Sequence, residues 1–124
     1  MAILLPKNSV EIVRGSSKTL KLKVTDGNGE IVNLTGATIY FTVKKNVKDE
    51  LSLIDKSSLS ISEIEIPNPT DGTALIYLIP QDTASLAATN YTFDVWVVLS
   101  SGERFVVVQP SVFKVTVGVT NLLP

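Results

Sequence analysis

The 124 residues include no cysteine and no histidine. Without cysteine there is no disulfide, no thiolate nucleophile and no thiolate-bound metal. Without histidine the chain lacks the commonest general base and the commonest metal ligand. A Ser-His-Asp triad, a zinc site and a histidine pH switch are therefore excluded within it. Charge is also sparse: 19% of residues are charged and the net charge is −1. So weak a field points to neither nucleic acid nor an anionic membrane. Long apolar runs are missing as well. Ala2–Leu5 is ended by Pro6, well short of the ~7–15 residues of a secretory h-region. No run approaches the ~20 apolar residues of a membrane helix. The expectation is a chain made and kept in a cytoplasm, or exported by a route that uses no N-terminal signal.

What is present fits one globular domain. Hydrophobic residues make up 44% of the chain, above the range of disordered segments. A domain this long buries roughly two-thirds of the surface of its unfolded chain and needs no covalent staples. The charge is uneven. Residues 1–62 hold nine Lys/Arg and six Asp/Glu, or +3, and residues 63–124 hold two and six, or −4. That asymmetry is either ordinary scatter or the mark of a polar molecule whose opposite faces meet neighbouring copies.

Period-two alternation runs almost throughout, the signature of half-buried strands. Val10–Val13 is a first short strand. In Lys18–Thr25, Leu20, Leu22 and Val24 alternate with Lys21, Lys23 and Thr25. Asp26-Gly27-Asn28-Gly29 is a reverse turn, and Glu30–Leu34 is a short extended return. After Thr35-Gly36, the run Ala37–Lys45 points Ile39, Phe41 and Val43 inward and Tyr40, Thr42 and Lys44 outward. Leu51–Ser57 and Leu59–Ile66 are weaker, serine-rich strands. Pro67–Gly72 is a loop, and Thr73–Ile79, apolar on both faces, reads as a central strand. Within Pro80–Ala88 a single helical turn is expected near 82–88, capped by Asp82. Tyr91–Leu99 puts Tyr91, Phe93, Val95, Val97 and Leu99 on one face. Arg104–Gln109 pairs back after a turn, Pro110 interrupts, and Val112–Val119 closes the domain. Turns recurring about every 8–12 residues argue for an all-β sandwich or barrel.

Each candidate for chemistry is incomplete. Gly15-Ser16-Ser17-Lys18-Thr19 lacks the glycine before lysine and the following helix of a phosphate loop. Asp26–Glu30 opens like a calcium loop, but Ile31 and Ala37 stand where glycine and a bidentate glutamate are required. Paired carboxylates could hydrolyse glycosides, but Glu63 and Glu65 look like the wet face of a strand, Asp94 faces outward, and no feature places two of these in one pocket. Asn33-Leu34-Thr35 and Asn90-Tyr91-Thr92 match glycosylation sequons, which matter only in a secreted chain. The expectation is a non-enzymatic protein with no catalytic residue, metal or cofactor.

The contact candidates are apolar. Trp96 lies on the face opposite Phe93, Val95 and Val97, beside Val98, with Val106 and Val108 continuing that face on the next strand. This is either a second buried face or a patch for another subunit, since tryptophan is enriched at interface hot spots. Tyr40 is outward and open to a partner. Ile3-Leu4-Leu5 and Leu122-Leu123 read as apolar tails outside the strand pattern, a liability unless they dock. An aromatic platform for sugars could draw only on Tyr40, Tyr77 and Trp96, which fall on different strands.

The order of the pieces adds a resemblance. Val13-Arg14-Gly15, then "LKVTDGNGEIVNLTGATIYFTVKK", "NPTDGTALIYLIPQDTASLAATNYTFDVWVVLSSGERF" and "VFKVTVGVT" resemble a family of small Ig-like β-sandwich domains in tailed-bacteriophage virion proteins. The N-terminal domain of the siphophage upper baseplate protein is the member to compare first. The likeness spans about Val10–Thr120 and is most specific at Leu34-Thr35-Gly36-Ala37-Thr38, Asp71-Gly72 and Tyr91–Val95. The family usually has glycine before that tyrosine, where this chain has Asn90. The resemblance implies an Ig-like antiparallel sandwich of about seven to nine strands. It further implies a structural role in a baseplate, tail, neck or capsid, in many copies, by contact with other virion proteins. A carbohydrate- or host-surface-binding module is the alternative.

Overall fold

The computed structural model describes the backbone of residues 2–5 and all of residues 9–119. Nine strands among these residues form two sheets. They are β1 (Ala2–Leu5), β2 (Val10–Val13), β3 (Lys18–Val24), β4 (Thr38–Lys44), β5 (Ile54–Ser57), β6 (Ile64–Glu65), β7 (Thr73–Leu78), β8 (Asn90–Val98) and β9 (Arg104–Thr116). One sheet has the order β1-β3-β7-β6 and the other β2-β9-β8-β4-β5. All pairings are antiparallel except β2 with β9. The first strand is thus divided between the sheets, and β4, β8 and β9 form the centre of the larger one. This is the immunoglobulin-like arrangement.

Alternation drives the assembly, because every second side chain of each strand reaches the space between the sheets. Leu20, Leu22 and Val24 of β3, and Ala74, Ile76 and Leu78 of β7, are buried against Ile39, Phe41, Val43, Phe93, Val95 and Val97 of the facing sheet. Phe41, Phe93 and Phe113 meet with ring centroids 5.5–6.2 Å apart in tilted and edge-on geometry. Such pairs add about 0.5–1.5 kcal/mol each beyond area burial. Tyr91, the second residue of β8, donates its hydroxyl to the Ala87 carbonyl oxygen at 2.7 Å. A hydrogen bond of this kind is the tyrosine corner of immunoglobulin-like folds.

The sequence "NLTGA" is a locked turn. Asn33 Oδ1 accepts from the Thr35 amide at 2.9 Å and the Thr35 hydroxyl at 2.7 Å. The Ala37 amide closes on the Leu34 carbonyl at 2.9 Å. Gly36 takes φ 75, and a Cβ there would stand 3.0 Å from Ser100 Cβ.

Several expectations are corrected. Ile3, Leu4 and Leu5 are not a free tail: residues 2–5 pair antiparallel with β3, Leu4 opposite Leu22. Leu122 and Leu123 lie outside the described residues. Pro110 does not end a strand. β9 runs through it, and the irregularity appears as shifts in register against β8. The helical turn is Pro80–Thr83 with Ile79 at the N-cap. Pro80 begins it because its fixed φ suits the first helical position. Asp82 reaches back instead, accepting the Ile79 amide at 2.9 Å. The weak strands shrink to Ile54–Ser57 and Ile64–Glu65. Lys56 is an inward lysine that the alternation did not flag. It is buried and paired at 2.8 Å with Asp82, joining edge strand β5 to the helical turn.

Candidate functional site

The outer face of the five-stranded sheet collects four of the ten predicted contact residues, Tyr40, Trp96, Val98 and Val106. Register sets Tyr40 directly opposite Trp96, Thr42 opposite Asp94, Lys44 opposite Thr92 and Thr38 opposite Val98. On the other side of β8, Val106 opposes Trp96 and Arg104 opposes Val98. Tyr40 is 38% and Trp96 39% exposed, so the two rings share an open surface. In the sequence they fall on different strands, 56 residues apart. Adjacency of β4 and β8 makes them neighbours. Tyr77 is on the other sheet, where its hydroxyl donates to Glu65 Oε1 at 2.6 Å. That bond, above all, raises its pKa, with desolvation and the Glu65 charge adding to it.

Trp96 stands between two depressions. One, of about 230 Å³, has Thr42, Lys44, Thr92, Asp94 and Pro110 around it. The other, of about 300 Å³, is bounded by Tyr40, Val98 and Arg104. The indole Nε1–H donates to Asp94 Oδ2 at 3.1 Å, a same-face contact two residues along one strand that fixes the ring. Thr42 Oγ1 donates to Asp55 Oδ1 at 3.3 Å. The side chains of Lys44, Thr92 and Arg104 make no hydrogen bond or ion pair among the described residues.

Val108 is a correction. It is 2% exposed and belongs to the core, while Val106 is half-buried on the outer face. Strict alternation would put both on one face. Between the pairs Val95–Val108 and Trp96–Val106 the chain of β9 advances two residues for one of β8, and between Phe93–Ser111 and Val95–Val108 three for two. Each is a β-bulge, which adds a residue and reverses the side on which the next ones lie.

A second feature went unnoticed in the sequence. At the end of the sandwich near the β8–β9 hairpin, a cavity of about 400 Å³ opens between the sheets, lined by Val24, Val32, Val97, Leu99, Phe105 and Val107. Phe105 opposes Val97 in register, yet Val97 is 1% exposed and Phe105 45%. Among the described residues the core is left incomplete there. Counting back from the turn would have paired Phe105 with Val97. No sequence signal marks the missing cover.

The motifs weighed for chemistry serve the backbone. Asp26 Oδ1 accepts the amides of Asn28 and Glu30 at 2.8 and 3.0 Å. Glu63 Oε1 accepts the Ser57 amide at 3.0 Å. Gly15 donates its amide to buried Thr83 Oγ1 at 2.9 Å. Among the described residues no three His, Cys, Asp or Glu side chains are grouped as metal ligands.

No protein-family model matches this chain, and no curated protein matches it. Solved structures do. The Lin-41 filamin domain superposes with a TM-score of 0.52 at 14% identity, covering 94% of this chain and 93% of that one. CopC from Methylosinus trichosporium OB3b superposes with a TM-score of 0.51 at 16% identity, covering 99% of this chain and 100% of that one. What the chain shares with both is its immunoglobulin-like β-sandwich.

Proposed function

We propose that this chain is a non-enzymatic structural domain of a tailed-phage or prophage particle, acting by protein–protein assembly in many copies. The virion setting rests on the sequence resemblance. The assembly mechanism rests on one observation, the cavity at the hairpin end with Phe105 half exposed on the inward side of its sheet. Exposed core surface of this kind is stabilised when a neighbour's apolar side chains enter it. No nucleic acid or membrane is needed. Solution scattering of the chain alone and mixed with the other structural proteins of its particle tests this. One mixture should gain mass, and Phe105→Ser should abolish the gain. Unchanged mass in every mixture would count against assembly.

A second reading, a carbohydrate- or host-surface-binding module, is favoured by the side-by-side exposure of Tyr40 and Trp96. It occupies a different surface, so both roles fit one domain.

A further inference from the structure

We infer that the outer face around Trp96 is a binding groove for a neutral, linear glycan running along β8, an inference that rests on the carbohydrate reading. Four observations point there. First, the two depressions lie in a row along the strands with Trp96 between them, a layout for consecutive rings of a chain. From the level of Lys44 and Thr92 to that of Val98 and Arg104 is six residues of β8, about 20 Å at the usual rise of a strand.

Second, the lining is mixed. An apolar peptide would be expected to meet an apolar groove. Here aromatic surface from Tyr40 and Trp96 adjoins Thr42, Thr92 and Asp94. Sugar rings present the same mixture, C–H faces that pack on aromatic rings and hydroxyls that donate and accept. Third, charge is balanced. Lys44 and Arg104 stand against Asp55 and Asp94 on this face, which suits hydroxyls better than a polyanion such as a nucleic-acid backbone. Fourth, the site is partly preorganised. The indole is held by Asp94, leaving Asp94 Oδ1, the Thr92 hydroxyl and the Lys44 ammonium to meet ligand hydroxyls.

Trp96 is the only tryptophan in the chain, so its emission reports on this groove alone. A glycan array covering neutral and acidic linear chains comes first, with neutral hexasaccharides of glucose and of N-acetylglucosamine among the probes. Bound probes are then titrated while emission is followed. The expected result is retention of at least one neutral linear chain with a saturable change in emission. Affinity should fall at least about tenfold in Trp96→Ala, and measurably in Tyr40→Ala. Both side chains are exposed, and an unchanged thermal transition confirms folding of the variants. Binding without an emission change, and undiminished in both variants, would overturn the placement while leaving the carbohydrate reading intact. An array with no retained glycan would overturn both. Retention confined to acidic chains would overturn the neutral specificity.

Discussion

At Gly72 the backbone takes φ 66. A Cβ there would lie 2.7 Å from Ile31 Cγ2 and 2.9 Å from the carbonyl oxygens of Val24 and Val32. Two backbone groups cannot give way as a side-chain tip can. Gly72→Ala should therefore cost at least about 2 kcal/mol, combining the left-handed penalty with a clash. Gly29, at φ 81, has open space around it, and Gly29→Ala should cost only about 1 kcal/mol. Denaturant unfolding of the two variants compares them directly. Tyr77 offers a test of a different kind. Its pKa lies above the ordinary value of 10.0, chiefly through its hydrogen bond to Glu65. A raised native pKa means that the folded protein favours the neutral phenol. The stabilisation is complete below about pH 10 and is lost as pH rises through the native value. Alkaline absorbance titration should show the Tyr77 phenol ionising late, a contribution absent in Tyr77→Phe and earlier in Glu65→Ala, which removes both the acceptor and the charge. An unmoved titration in Glu65→Ala would refute the assigned cause.

Among the elements, β9 shows what the sequence conveys and what it withholds. Strand existence was legible because every second residue of β3, β4 and β8 is apolar. The inward sets Leu20–Leu22–Val24 and Ile39–Phe41–Val43 follow from that pattern alone. The bulges were not legible. Phe105 to Val108 is a continuous apolar run, and when both faces offer apolar residues, alternation has no contrast with which to mark a slip. The consequence is measurable: Val108→Ala should cost about 2 kcal/mol and Val106→Ala less than about 1. Equal costs would mean that the strand alternates without bulges. β5 carries a second withheld feature. An isolated lysine on a weak strand reads as solvated, yet Lys56 is 7% exposed and meets Asp82 across the interior. Inward charge on an edge strand also discourages pairing with other chains. Lys56→Met should cost about 3 kcal/mol, because Asp82, 14% exposed, loses its counter-charge. Little of that loss should depend on salt. A stability difference that vanishes at high salt would place the pair in solvent.

For the whole molecule, the immunoglobulin-like sandwich explains why the candidate site was half legible. Trp96, Tyr40, Val98 and Val106 were each recognisable as outward and apolar. Their convergence depends on β8 lying between β4 and β9, a long-range arrangement that no local pattern encodes. The open end is legible only in three dimensions, since among the described residues the Asp26–Gly29 turn and the β8–β9 hairpin stop short of covering Phe105. The two surfaces divide the proposed labour: the hairpin end for a neighbouring virion protein, the outer face of the larger sheet for a glycan. At the hairpin end, the proposed partner completes the core at Phe105. Electron cryomicroscopy of the assembled particle tests it most directly. Apolar side chains of an adjacent protein should occupy the cavity between Val24, Val97 and Phe105. A particle in which that cavity faces solvent in every copy, or from which the chain is absent, would contradict it.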